Sequence, residues 1–206
     1  CGLSFRELQK RLGYGVADIT ACLVSHEHQD HAKAAAQLLK SGVPVYMSEG
    51  TAAAHKDAMD AANLIKAGDV LRFGHLTVVP FRTYHNVEEP LGFLIEDGRT
   101  KERLLWAVDT ANLGVTADRL TYIAVECNYE ESLLDRSDRI PSVLKERIRH
   151  SHFEVSDVIK WLHKQDLSGV LTIWLLHLSA GNSRAEQWQV RFEREFPGIT
   201  VKICPE

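Results

Sequence analysis

Four side chains of metal-ligand type fall within six consecutive residues: His26, His28, Asp30 and His31 in the stretch Ser25-His26-Glu27-His28-Gln29-Asp30-His31. Imidazoles two residues apart point to the same side of an extended segment, so His26 and His28 can hold one cation between them. Where the chain turns from strand into helix, Asp30 and His31 face another direction, which suits a second cation nearby. Two such cations polarise a phosphoryl or carbonyl oxygen and make a bound water partly hydroxide near neutral pH, which is hydrolytic chemistry. The competing reading is a set of surface histidines with Asp30 N-capping the next helix. The density of ligands weighs against it. So does a second pattern, in which His85, Asp109 and His177 each come directly after an apolar strand, where a rigid scaffold presents side chains to a common centre.

The elements that must position these residues can be read from periodicity and breakers. Ser4 caps a short amphipathic helix with Phe5, Leu8 and Leu12 on one face, ended by Gly13. Ala21 to Ser25 reads as a strand and Ala32 to Leu39 as a helix closed by Ser41-Gly42, which puts the histidine cluster on a strand-to-helix turn. Val43 to Met47 is a strand, Glu49 to Met59 a helix, and Asp69 to Phe73 with Leu76 to Phe81 a strand pair turning at Gly74. Leu91 to Glu96 and Leu104 to Val108 form a hairpin whose Asp97-Gly98 is expected to supply the positive φ angles of a tight turn. Tyr122 to Glu126 is an apolar strand, Ser142 to Ile148 a basic helix, and Val155 to His163 an amphipathic helix. Val170 to Leu176 is a buried strand, Ala185 to Phe196 a helix stopped by Pro197-Gly198, and Thr200 to Ile203 an edge strand. Strands and helices mixed in this order imply α/β layers. His55, His75 and His163 have no ligand partners nearby in sequence and read as ordinary surface or core histidines.

A chain of 206 residues fits one domain spanning 1–206. With 45% hydrophobic and 25% charged residues and no apolar run near the ~20 that a membrane span needs, a soluble protein is expected. The net charge of −4 gives no global attraction to nucleic acid. Cys1, Cys22, Cys127 and Cys204 form no CxxC pair, which argues against a disulfide framework or a thiolate zinc site and for a reducing, cytoplasmic compartment. The chain opens at Cys1 with no signal-peptide pattern, in what reads as the middle of a fold.

The stretch Ser-His-Glu-His-Gln-Asp-His resembles the HxHxDH signature of the metallo-β-lactamase superfamily, and His85, Asp109 and His177 come in that superfamily's order. The likeness is closer to YycJ-type exonucleases and more distant to ribonuclease Z and to cyclic phosphodiesterases of the phosphonate pathway. Tyr84-His85 before Glu89-Pro90, Val108-Asp109-Thr110, Arg147 to His152 and His177-Leu178-Ser179 carry it. The resemblance implies a four-layer αββα sandwich, of the α+β class, whose first strand pair is not visible before Cys1. It implies further that His26, His28 and His85 hold one metal, that Asp30, His31 and His177 hold the other, and that Asp109 bridges them. Zinc is the expected ion, with manganese or iron as alternatives. Asp30 and His152 are the candidate catalytic residues, His152 as proton donor. Should His85 stand off the metal, His152 would replace it, with His150 the weakest contender. Asn86 stands where these relatives often carry Asp, and Cys127-Asn128-Tyr129 where they often carry a histidine.

Such a centre fixes reaction type better than substrate. The leading expectation is a phosphodiesterase or exonuclease-like nuclease acting on DNA or RNA. The alternatives are a hydrolase of thioesters or lactones and a non-catalytic metal-binding protein. Arg136, Arg139, Lys145, Arg147 and Arg149 precede His152 and could contact phosphate. Interleaved Asp135, Asp138 and Glu146 make a solvated helix face an equal reading.

Overall fold

The computed structural model describes residues 1–55 and 61–204. The chain divides into two compact units, Cys1–Arg82 with Val87–Leu91, and Thr83–Asn86 with the chain from Gly92 onward.

In the first unit, helix α1 (Phe5–Arg11) begins at Ser4, whose hydroxyl accepts from the Glu7 N–H, and stops before Gly13 at φ +56°. Strands β1 (Cys22–Leu23), β2 (Val45–Met47) and β3 (Asn63–Leu64) form a parallel sheet with Cys22 opposite Val45 and Tyr46 opposite Asn63. Parallel neighbours need a crossover, and helices α2 (Gln29–Ala32) and α3 (Ala35–Lys40) supply it, burying Ala32, Ala34, Ala35 and Leu38 with Val24, Val45 and Met47. Truncating Leu38, 1% exposed, to Ala would cost about 2–5 kcal/mol by the usual cavity penalty.

The single helix expected from Ala32 to Leu39 is therefore two. The break at Lys33–Ala34 has a tertiary cause, since the Ala34 N–H donates to the Cys1 carbonyl. Gly2 lies so close to the Asp30 carbonyl that a Cβ there would sit 1.4 Å from the oxygen, so only glycine permits the approach. Helix α4 (Glu49–Ala54), capped by Ser48, covers the start of the helix expected over 49–59; the rest of that expectation lies largely outside the described residues. Strands β4 (Leu71–Phe73) and β5 (Leu76–Arg82) pair antiparallel about Gly74, at φ +60°.

In the second unit, β6 (Leu91–Asp97), which belongs there from Gly92 onward, pairs antiparallel with β7 (Arg103–Ala107), and β7, β8 (Tyr122–Glu126), β9 (Thr172–Leu176) and β10 (Thr200–Ile203) run parallel in that order. The β6–β7 connection departs from the tight Asp-Gly turn. Glu96 pairs with Arg103, the Asp97 carboxylate accepts from the Arg99 and Thr100 N–H groups, and Lys101, not Gly98, takes the positive φ of 65°. The side chain of Asp97 captures the turn's N–H groups first, so a wider turn closes on Lys101.

Helices α5 (Glu131–Arg136), α6 (Ser142–Ser151), α7 (Val155–Leu162) and α8 (Ala185–Glu195) complete this unit. The first of them, α5, had no counterpart in the periodicity. Glu154 caps α7 by accepting from the Ser156 and Asp157 N–H groups, and α7 buries Val155, Val158, Ile159, Trp161 and Leu162. Among the described residues no helix is long and apolar enough to cross a membrane.

Candidate functional site

In the first unit the histidine motif takes its direction from β1 and the turn into α2. Val24 N–H donates to the Tyr46 carbonyl and Leu91 N–H to the Ser25 carbonyl, so the chain stays extended through Ser25 and His26, both buried. His28 occupies the N-cap position of α2, with no side-chain cap there, and Asp30 lies in the first turn of that helix. Asp30 is thus not the N-cap. His26 Nε2 lies 3.2 Å from His28 Nδ1, and the His26 and His31 rings are 4.3 Å apart by centroid. His31 therefore turns back onto His26. Asp30 Oδ2 is 3.5 Å from His31 Nε2, on a largely exposed side chain. Three imidazoles this close can turn ring nitrogens toward a common cation. Glu27 is braced from behind, with its carbonyl accepting from His55 Nε2 at 3.0 Å and its carboxylate from the Thr51 hydroxyl at 3.4 Å. His55 thus supports the motif, a role its isolated position in sequence did not suggest.

In the second unit the parallel sheet does the assembling. The ends of β7, β8 and β9 lie on one edge because the strands run the same way in register, and each end delivers a functional residue: Asp109 just after β7, Glu126 as the last residue of β8, His177 just after β9. Asp109 and His177 have φ of 48° and 52°, a left-handed conformation uncommon outside glycine but most tolerated by Asp, Asn and His. His85 is held beside Asp109 by its neighbours' hydrogen bonds, Tyr84 N–H donating to the Thr110 hydroxyl and Ala111 N–H to the Tyr84 carbonyl.

Glu126 is the residue that sequence reasoning missed. Fully buried, its carboxylate accepts from Thr110 N–H at 2.6 Å, from His152 Nδ1 at 2.6 Å and from His177 Nδ1 at 3.0 Å. A carboxylate ending an otherwise apolar strand was the available signal, since burying a charge is costly unless it is paired. His177 Nδ1 is also 2.6 Å from Asp109 Oδ1, and Asn128 donates to the His177 carbonyl at 2.8 Å. Burial works against the charged imidazole of His177, but its hydrogen bonds to Asp109 and Glu126 outweigh that and lift its pKa to about 10. For His85 burial prevails and lowers the pKa, although the Ser151 carbonyl and Asp109 oppose it.

Helix α6 ends so that Ser151 offers its carbonyl to His85 Nδ1 at 2.8 Å, and His152, the C-cap, reaches Glu126. The His152 ring stands 5.2 Å from that of His85 and 5.4 Å from that of His177. His150, by contrast, is exposed and bonds its own helix at the Glu146 carbonyl. Asp109, Glu126, His152 and His177 each place one ligand atom within 4.8 Å of the others. Two buried carboxylates beside two imidazoles suit divalent cations, and a carboxylate on one ring nitrogen of a ligating histidine fixes its tautomer. His163 instead pairs with Glu195 on the surface, and Cys127 is buried with its thiol pushed well up by desolvation. Neither serves this chemistry.

A family model described as the β-lactamase superfamily domain matches residues 1–173. The chain is 29% identical over 200 residues to the exodeoxyribonuclease YycJ of Bacillus anthracis, covering 90% of this chain and 74% of that protein. Among solved structures, the metallo-β-lactamase fold protein YhfI from Bacillus subtilis aligns with a TM-score of 0.69 at 17% identity, over 98% of this chain and 82% of that one. The short form of human tRNase Z aligns with a TM-score of 0.60 at 14% identity, over 98% and 82% respectively. At these identities the two structures speak for the fold alone, and the fold is that of the metallo-β-lactamases, as the sequence resemblance implied.

Proposed function

The chain belongs to the β-lactamase superfamily and is a hydrolase of its metallo branch, and from that premise we propose that it cleaves phosphodiester bonds, in the manner of a nuclease acting on DNA or RNA. The observation that carries this reading is the Glu126–His152 pair, a buried carboxylate at the end of β8 that holds the imidazole at the end of α6 by Nδ1 and leaves Nε2 to exchange protons. The exodeoxyribonuclease relative supports a phosphodiester substrate over a carbonyl one.

The proposed ligands are His26, His28 and His85 for one divalent ion and Asp30, His31 and His177 for the other, with Asp109 shared and residues 1–206 acting as one catalytic domain. Zinc suits imidazole and carboxylate donors best. When bound, the ions supply Lewis acidity and an activated water. The chain's own residues do the rest. Asp109 and Glu126 fix the His177 ring, the Ser151 carbonyl fixes that of His85, and Asp30 orients groups on its side of the motif. With both ring nitrogens protonated and Nδ1–H on the Glu126 carboxylate, His152 gives its Nε2 proton to the leaving oxygen as the P–O bond breaks and is left neutral. Four free cysteines support a cytoplasmic setting.

The test is a panel of chromogenic phosphodiester, phosphomonoester, thioester and β-lactam substrates with zinc or manganese supplied. Turnover of the phosphodiester well above the others is expected. Preference for a thioester or β-lactam would reject the reading.

A further inference from the structure

Five cations precede His152 in the sequence, and the structure uses them differently. Arg149 lies 2.6 Å from the carboxylates of Glu131, Asp135 and Glu146, so its charge is fully compensated and its job is to tie α5 to α6. Lys145 donates to the Asp135 carbonyl and Arg136 to the Ser132 carbonyl. Arg139 lies in the exposed link between those helices. Most of the cluster is thus scaffold, closer to the solvated-face reading.

Arg147 has a different partner. With the Asn86 amide oriented so that its oxygen meets donors, Oδ1 accepts from Arg147 Nε and Nη2, both at 3.1 Å, and Nδ2 donates to His85 Nε2 at 3.1 Å. A neutral amide holds this fork, so nothing at the contact offsets its positive charge. Two of the guanidinium's five N–H groups are used there, and the side chain is exposed. The amide oxygen thus holds Arg147 beside His85, and this contact does not call on His85 Nε2, the atom a metal would take from Asn86 Nδ2. A cation so placed, with no ion-pair partner among the described residues, suits a non-bridging phosphoryl oxygen.

We propose that Arg147, held in place by Asn86, binds an anionic phosphoryl oxygen of the substrate, and that the amide at position 86 keeps the guanidinium charge available for it. The proposal rests on the phosphodiester reading and names the contact that would select for it. An Asp at position 86 would preserve the acceptor geometry and cancel the charge.

The experiment uses the zinc-loaded full chain and its R147Q, R147K and N86D variants. It reads zinc content, kcat and KM for bis(p-nitrophenyl) phosphate and for neutral p-nitrophenyl acetate, and inorganic phosphate binding by titration calorimetry. R147Q is expected to raise the phosphodiester KM and the phosphate Kd about tenfold or more, the size of one lost charge-assisted hydrogen bond. Zinc content and the KM for the neutral ester should hold. R147K should recover part of the loss, having charge without the fork, and N86D should weaken phosphate several-fold. Phosphate binding by R147Q or N86D as tight as in the parent would overturn the proposal, as would loss of zinc in R147Q, which would make Arg147 a support for His85. Absence of phosphodiester turnover in the parent, with phosphate binding still dependent on Arg147, would end the nuclease reading and leave the anion contact standing.

Discussion

In the first unit, ligand-type side chains come from one short stretch and lean on each other: His28 and His31 both meet the His26 ring, and Asp30 is mostly exposed. In the second unit His85, Asp109, Glu126, His152 and His177 come from places far apart in sequence, and two buried carboxylates lock the imidazoles around them. The first group is made by the direction of the local chain and needs only a strand that ends where a helix starts. The second is made by the register of three parallel strands and stays in place only if its buried charges stay paired. Damage should therefore spread in the second unit and remain local in the first.

That contrast can be broken at several points. Asp109→Ala should have the largest effect, removing the proposed shared ligand and a partner of both His85 and His177; turnover should fall by about 10³-fold or more, the scale expected when charge stabilisation at a reacting centre is lost. Metal analysis should show fewer than two ions per chain, and a full complement would reject its assigned role. Glu126→Gln should come next, because an amide cannot accept from His152, His177 and Thr110 together; about 10²-fold loss in kcat is expected, with a loss of stability of about 1–3 kcal/mol by denaturant titration. His152→Ala should cost about 10²-fold in kcat with metal content unchanged. Loss of metal there would make His152 a ligand. His55→Ala, which removes only the brace on the Glu27 carbonyl, should cost about 1 kcal/mol and little turnover. If it matched Glu126→Gln, the first unit would be as coupled as the second.

A pH measurement separates the units further. The pKa of His177 is raised to about 10 from an ordinary value of 6.5, so its contribution to stability is complete below about pH 6.5 and disappears as pH climbs through 10. Protein stripped with chelator should lose melting temperature across that window, and Asp109→Asn should flatten the slope. An unchanged slope in that variant would mean that Asp109 is not what holds the proton.

Much of this was visible in the chain itself. The histidine stretch, the strand exits at His85, Asp109 and His177, the turn at Gly74 and the amphipathic helix after Glu154 all arise from local spacing, breakers and caps, which depend on neighbours in sequence. Other features belong to the folded molecule. The split between α2 and α3 comes from Cys1 and Gly2 docking on the motif, and the positive φ moved from Gly98 to Lys101 because Asp97 claimed the turn's N–H groups. Glu126 was simply the last residue of an apolar strand until β7 and β9 flanked it, and Arg147 and Arg149 were equal members of one basic run until their partners differed. The physical reason is common to all of these. Residue type and spacing set which chemistry a side chain can offer, whereas the partner that fixes its charge, tautomer or direction is brought by strand register and helix docking, and neither is encoded within a few residues of it.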